Sequence, residues 1–414
     1  MTLTVTAIRL LRHTNGAILP ALAHAFPSPI KYAMRLRAIE ILSALVTLLA
    51  ILAHSASMRA ARPDESPNAA LHVSETGPEY DYQGEYTGLL SGGFRRVPIG
   101  LQVIAGPDKT LRAVEYRGGL PGAGWTGSTK LHASGMVHGA AATLEGSERQ
   151  LAIVNGRLWL NDGGGVLRGI IHPVRRSSPN LGLAPPPGAE ILFDGNSAPG
   201  FVDARISPEG WLMEGTRTRS EVYDFRLHLE FRLPYMPAAE GQARANSGVY
   251  IQQRYEVQIL DSFGLEGVHN ECGGLYKTVR PDVNMCLPPL QWQSYDIWFR
   301  AARFDEAGEK KENARITVVH NGVVIHNNRE IPDKTGAGRP EGPEARPILL
   351  QDHGNPVRFR NIWLVHGEGT PPRYTSRGYC GPIESQSDGI ERLLPVSGDT
   401  NTRADVRSFR LTTR

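Results

Sequence analysis

Residues 246–261 read Asn-Ser-Gly-Val-Tyr-Ile-Gln-Gln-Arg-Tyr-Glu-Val-Gln-Ile-Leu-Asp. On an extended strand Glu256 and Gln258 share one face, and Val257 and Ile259 share the other, because successive side chains alternate. A carboxylate and an amide on one face, backed by aliphatics, suit a concave sheet lining a sugar cleft. Such clefts combine flat apolar surfaces with a few placed polar groups. Tyr250, Tyr255, Tyr276 and Trp292 offer the surfaces, and Asn246, Gln258, Gln351 and Arg358 offer the hydrogen bonds. Glu256 is the candidate general base. His353, in Gln351-Asp352-His353, is the candidate acid or second base, because imidazole titrates near neutral pH. Asp352 is placed to orient it or to bind a cation, and His269 is a weaker alternative to it. Glu256 and Asp261 do not make a glycosidase pair. Five strand residues separate them by roughly 16 Å, whereas retaining pairs need ~5–5.5 Å and inverting pairs ~6.5–9.5 Å. Gln258 between them cannot titrate.

The elements that must position these groups read as strands. Residues 225–233 alternate Phe225, Leu227, Leu229 and Phe231 with Arg226, His228, Glu230 and Arg232, the period of a half-buried strand. Further strands are expected at 248–251, 255–260, 295–301, 314–320, 323–326, 348–351 and 359–365. Asn321-Gly322 is a strong short hairpin signal. An earlier β-rich unit, 79–172, has strand candidates at 99–105, 111–116, 151–154 and 166–171. Its Gly-rich loop 118–124 lacks the strand–Gly–Lys–helix context of a phosphate cradle. The sequence therefore predicts an all-β chain with a small antiparallel β domain at 79–172 and a β-sandwich domain at 188–367. Pro-rich residues 173–189 link them, and 368–414 form a loose tail.

Gly 45 and Pro 30 in 414 residues fit many short strands separated by turns. A net charge of +3, with no stretch of Lys/Arg interleaved with aromatics, argues against a nucleic-acid partner. Arg35 and Arg37 precede an apolar run over 38–53, and Ala53, Ser55, Ala56 and Ser57 follow. This is the order of a signal peptide, and the run of ~16 residues is short for a membrane span. Met34 makes a better start than Met1, so 1–57 read as an over-called start plus a signal peptide or uncleaved anchor. An exported chain, periplasmic or extracellular, is expected, with no membrane span beyond that segment. Export permits disulfides. Of the three cysteines, Cys272 and Cys286 are the candidate pair, and Cys380 is left over.

The motifs Leu192-Phe-Asp-Gly195, Asn246-Ser-Gly248, Tyr255–Asp261, Cys272-Gly-Gly-Leu-Tyr276, Trp292-Gln-Ser-Tyr-Asp296, His320-Asn-Gly-Val323, Leu350-Gln-Asp-His-Gly354 and Val357–Ile362 occur in this order. The set resembles the 3-keto-disaccharide hydrolase family over about 180 residues. The resemblance implies a concanavalin A-like jelly roll, distantly similar to family-16 glycoside hydrolases. It implies an enzyme, hydrolase or lyase, acting on 3-keto-glycosides. A carbonyl at C3 acidifies the C2 proton, so one base can remove it and the C1 substituent departs. The alternative is a non-catalytic carbohydrate-binding sandwich, since fold alone does not give function. Many members carry Arg just after the Asn-Ser-Gly strand. Here Gln252 stands there, which makes Arg254 the candidate replacement. No cofactor is required by the sequence. A divalent metal is compatible with it, although no contiguous ligand loop is present.

Overall fold

The computed structural model describes residues 69–92, 95–371 and 383–385, all within a compact unit spanning Ser66–Arg414. The expected signal or anchor segment 1–57, Cys380 and most of the tail lie outside the described residues. Among the described residues no helix is long and apolar enough to cross a membrane.

The first unit is a closed barrel. Its strands are β1 (Gly84–Gly92), β2 (Arg95–Ala105), β3 (Thr110–Arg117), β4 (Lys130–His138), β5 (Ala141–Glu145), β6 (Arg149–Val154), β7 (Arg157–Asp162) and β8 (Leu167–Arg176). Each pairs antiparallel with the next, and β1 closes on β8 through Glu85↔Val174 and Thr87↔His172. Closure removes the exposed sheet edges. Alternation fills the interior: Ile99, Leu101, Val103 and Ala105 of β2 and Leu111 and Ala113 of β3 point inward. Ile104, Val114 and Tyr116 point outward into the second domain's core. The sequence expectation ended this unit at 172, at Pro173. Strand β8 instead runs on to Arg176. Proline is tolerated there because pairing to β7 stops at Ile171, so its missing N–H interrupts no ladder on that side.

The second domain is a jelly-roll-like β-sandwich. Its strands are β9 (Glu190–Phe193), β10 (Phe201–Val202), β11 (Leu212–Met213), β12 (Thr216–Thr218), β13 (Phe225–Arg232), β14 (Ser247–Ile251), β15 (Tyr255–Ile259) and β16 (Trp292–Arg300). A side hairpin of β17 (Arg303–Phe304) and β18 (Lys310–Glu312) follows, then β19 (Ala314–His320), β20 (Val323–Ile331), β21 (Leu349–Leu350) and β22 (Arg358–His366). The front sheet runs β10-β12-β21-β14-β15, and the back sheet runs β11-β22-β13-β16-β19-β20 with β9 also on β22. The core lies between them. Phe225, Leu227, Leu229 and Phe231 meet Val249, Ile251, Val257 and Ile259, all buried. Asn321 and Gly322 both take positive φ (50° and 80°) and join β19 to β20 as the expected two-residue turn. A last strand, β23 (Ile383–Ser385), pairs β8 within the stretch expected to be loose.

The two domains interlock. Tyr235 and Leu290 of the sandwich enter the barrel's core cluster. At the joint, Arg176 is fully buried and holds Glu85 with two hydrogen bonds of 2.6 and 2.5 Å. It also donates to Pro121 O at 2.7 Å. Gln102 donates to Glu85, and Tyr116 donates to Gln102. Gly122, at φ +73°, brings the 118–124 loop so close to Met285 that a Cβ would lie 2.4 Å from its Sδ. The loop is a structural joint, which is why its glycines are needed.

The segment after β8 is not a free linker. Ser178 bonds Ser294 at 2.6 Å, Asn180 donates to Asp296, and Gly182 N donates to Glu230. These contacts strap it over the back sheet's outer face. Beneath the strap His228 lies between Asp296 (2.9 Å) and Glu230 (3.7 Å).

Candidate functional site

The outward face of the front sheet is fixed by register. Tyr250 lies opposite Glu256, Gly248 opposite Gln258, and Leu349 opposite both Tyr250 and Arg217. Beyond β15, Leu275 bridges Val257, and Tyr276 N donates to Glu256 O. One row across the sheet is therefore Tyr276, Glu256, Tyr250, Leu349, Arg217. The next row is Gly274, Gln258, Gly248, Gln351, Gly215. The second row alternates glycine with glutamine, so it forms a trough beside a wall of aromatic and charged side chains. Val249, Val257 and Leu350 face the core.

Glu256 leans over that trough. A Cβ on Gly248 would lie 2.3 Å from its Oε1. Its side chain is 2% exposed, and Oε2 has no hydrogen-bond partner in the protein. Burial pushes its carboxyl up to about 7, partly offset by a hydrogen bond from Tyr250. A carboxyl poised there is matched to proton abstraction near neutral pH. At the far end Asp352 sits over Gly215, its Cβ 3.1 Å from where a Gly215 Cβ would be. Two strand spacings, ~10 Å, separate Gly248 from Gly215. We expect Gly248→Ala to displace the Glu256 carboxyl and lower turnover by at least ~10-fold, with little loss of folded protein, as read by kcat and circular dichroism.

Further acceptors converge on this face. Asn246 Oδ1 and Gln351 Oε1 are buried without a protein donor. Gln242 holds the amides in place. Its backbone O and Oε1 accept from Asn246 Nδ2, and Oε1 also accepts from Gln258 Nε2 at 3.0 Å. Buried polar atoms in native proteins are normally satisfied, so three orphaned acceptors on one surface mark a place for donor groups of a ligand.

The structure brings together Glu256, Gln258, Tyr250, Tyr276, Asn246, Gln351 and Asp352 on or beside this face. His353 lies two residues beyond Gln351, exposed just before the Gly354-Asn355 bend, and no hydrogen bond or ion pair joins it to Glu256. Other expectations need correction. Trp292 sits on the opposite side of the molecule, because it pairs with Arg232, whose side chain faces outward from the back sheet. Its ring packs edge-on to Trp211 and under Arg360. Trp292→Ala is accordingly expected to leave kcat/KM within about twofold. Tyr255 turns into the core against Phe299. Arg254 is 1% exposed, and its guanidinium holds Glu344, Pro340 O and Gln252 Oε1. It braces the β14–β15 turn, where Gln252 and Gln253 both adopt positive φ. Arg358 is held by buried Glu214 at 3.0 Å at the Asp352 end.

Cys272 and Cys286 are free buried thiols; the expected disulfide is absent. Cys272 Sγ meets the Tyr295 hydroxyl at 3.2 Å, and Cys286 Sγ meets Leu287 O at 3.5 Å.

Sequence reasoning missed Gln242, Arg217, Leu349 and the three glycines. Their only signal is cross-strand register, which a single chain does not print. Among the described residues no cluster of three or more His, Cys, Asp and Glu could hold a metal ion.

Fold and site together define a jelly-roll-like sandwich with an acid-bearing polar trough on one sheet. Residues 188–365 match the 3-keto-alpha-glucoside-1,2-lyase-like domain, and through this segment the chain belongs to that family. Three crystal structures from Parabacteroides distasonis, each of a protein provisionally assigned as a glycosyl hydrolase, are similar. The first is 31% identical and covers 47% of this chain and 90% of its own, with a TM-score of 0.42. The second is 17% identical and covers 43% and 94%, with a TM-score of 0.31. The third is 21% identical and covers 43% and 98%, with a TM-score of 0.30. No curated protein matches the chain.

Proposed function

We propose that the chain is a carbohydrate-active enzyme that cleaves 3-keto-glycosides with Glu256 as general base. The observation that carries this reading is the buried carboxyl held near neutrality over a glycine trough, with Oε2 free of any protein donor. Family membership supports the substrate class.

In the proposed reaction the 3-keto group acidifies the C2 hydrogen. Glu256 takes that proton, the C2 electron pair forms the C1–C2 double bond, and the C1–O bond breaks toward the leaving group. The departing oxygen takes a proton and leaves as an alcohol, with His353 at the rim as its proposed donor. Water added back at C1 turns the elimination into net hydrolysis. Asn246, Gln258 and Gln351 accept from sugar hydroxyls, while Tyr250 and Tyr276 wall the ring. We place the enzyme outside the cytoplasm on the basis of the 34–57 segment.

The test is turnover of a 3-keto-glucoside beside the matching ordinary disaccharide. Release of the alcohol from the keto substrate alone is the expected result. Cleavage of the ordinary disaccharide at an equal rate, or of neither, would overturn the reading.

A further inference from the structure

The barrel's interior is filled by its own side chains together with Tyr235 and Leu290 of the sandwich, so it can contribute to function only through its outer surface. That surface does not close flush on the sandwich. A cleft of 590 Å³ remains between strands β3–β4 with their connecting loop and the 265–284 loop of the sandwich. This volume lies within the ~300–1,000 Å³ of ligand sites. From the barrel come Tyr116, Trp125 and Lys130, and from the sandwich come Glu266, Arg280 and Asn284. We propose that this cleft is a second saccharide-binding site, taking a neutral sugar unit against Trp125. The ligand class rests on the carbohydrate reading given above.

Three features argue for it. Trp125 is fixed as a platform: its ring packs edge-on against Tyr116 at 5.3 Å, Lys130 Nζ lies over it at 5.1 Å, and its Nε1 donates to Ser128 O. A half-buried, immobilised aromatic with a polar rim is the arrangement that receives a sugar's apolar face. The charges balance. Lys130 and Arg280 face Glu266 and Asp282 in the lining, and Lys130 Nζ is 2.9 Å from Glu266 Oε2. A balanced fork of donors and acceptors fits a neutral polyol better than an anion or a cation. The cleft is also tied to the trough. The loop that places Tyr276 beside Glu256 continues through the Leu275–Val279 bridge to Arg280 and Asn284.

The experiment uses the full chain carrying Glu256→Gln and titrates it with sucrose and with maltotetraose by calorimetry. Two sites per chain are expected for the disaccharide. Adding Trp125→Ala should remove one of them, and adding exposed Arg280→Ala should weaken that one on the order of tenfold. Arg280→Ala guards against a Trp125 variant that merely unfolds. A single site in the parent, or two unchanged sites in both variants, would overturn the proposal. Turnover by the otherwise native enzyme is measured in parallel. Trp125-dependent binding without turnover would sink the catalytic reading and leave this site standing. Turnover of a simple 3-keto-glucoside that is untouched by Trp125→Ala, with only one binding site, would do the reverse.

Discussion

Glu256→Gln is expected to lower kcat/KM on a 3-keto-glycoside by ~10²-fold or more, the range lost when a general base is removed. The same substitution is expected to stabilise the fold above neutral pH. The folded carboxyl titrates near 7 against an ordinary 4.5, so the folded state holds its proton more tightly than the unfolded one. Stability is therefore greatest below the ordinary value and falls as pH rises from 4.5 to about 7. The loss is about 3.5 kcal/mol, because each tenfold gain in proton affinity is worth ~1.4 kcal/mol. A neutral amide escapes it. Two measurements check the idea: melting temperature against pH for both proteins, and the pH profile of kcat/KM. The rising limb of the profile should inflect near 7, since the ionised carboxylate is the active form of the base. Undiminished turnover, or a profile with no inflection there, removes Glu256 from the mechanism.

The second large effect is structural. Arg176→Met should destabilise the protein by about 3–5 kcal/mol, the cost of stranding one partner of a buried ion pair. The substitution leaves Glu85, 3% exposed, with Gln102 as its remaining side-chain donor. It also leaves Pro121 O without its partner on the 118–124 joint. Removing both charges, Arg176→Met with Glu85→Gln, should recover most of the loss, because no uncompensated charge then remains. Denaturant titration followed by tryptophan fluorescence measures both. A single-variant loss below about 1 kcal/mol would show that water reaches Glu85 at the joint.

Much of the sandwich was legible because one face of each strand is buried. The alternation over 225–232 had to place Phe225, Leu227, Leu229 and Phe231 inward, and Asn321-Gly322 had to turn. The barrel was less legible. Strands such as β4, with Gly135 and polar residues among its apolar ones, lack a clean period. Closure of β1 on β8 joins residues nearly ninety positions apart. The disulfide expectation failed because loop length alone does not decide whether the sulfurs bond or take other partners, here the Tyr295 hydroxyl for Cys272 and the Leu260 and Leu287 carbonyls for Cys286.

By itself the sequence determined that the chain is all-β, that Glu256 and Gln258 share a face, and that an ordered set of motifs marks one family. These properties depend on neighbours along the chain or on residue order. Tertiary structure decided which face meets the trough, because that depends on which strand lies alongside. It put Trp292 on the far side, turned Arg254 into a brace, and set Gly248 under the Glu256 carboxyl. It also decided the proton affinity of Glu256. That value comes from desolvation, and desolvation is created by residues from distant parts of the chain closing around one oxygen.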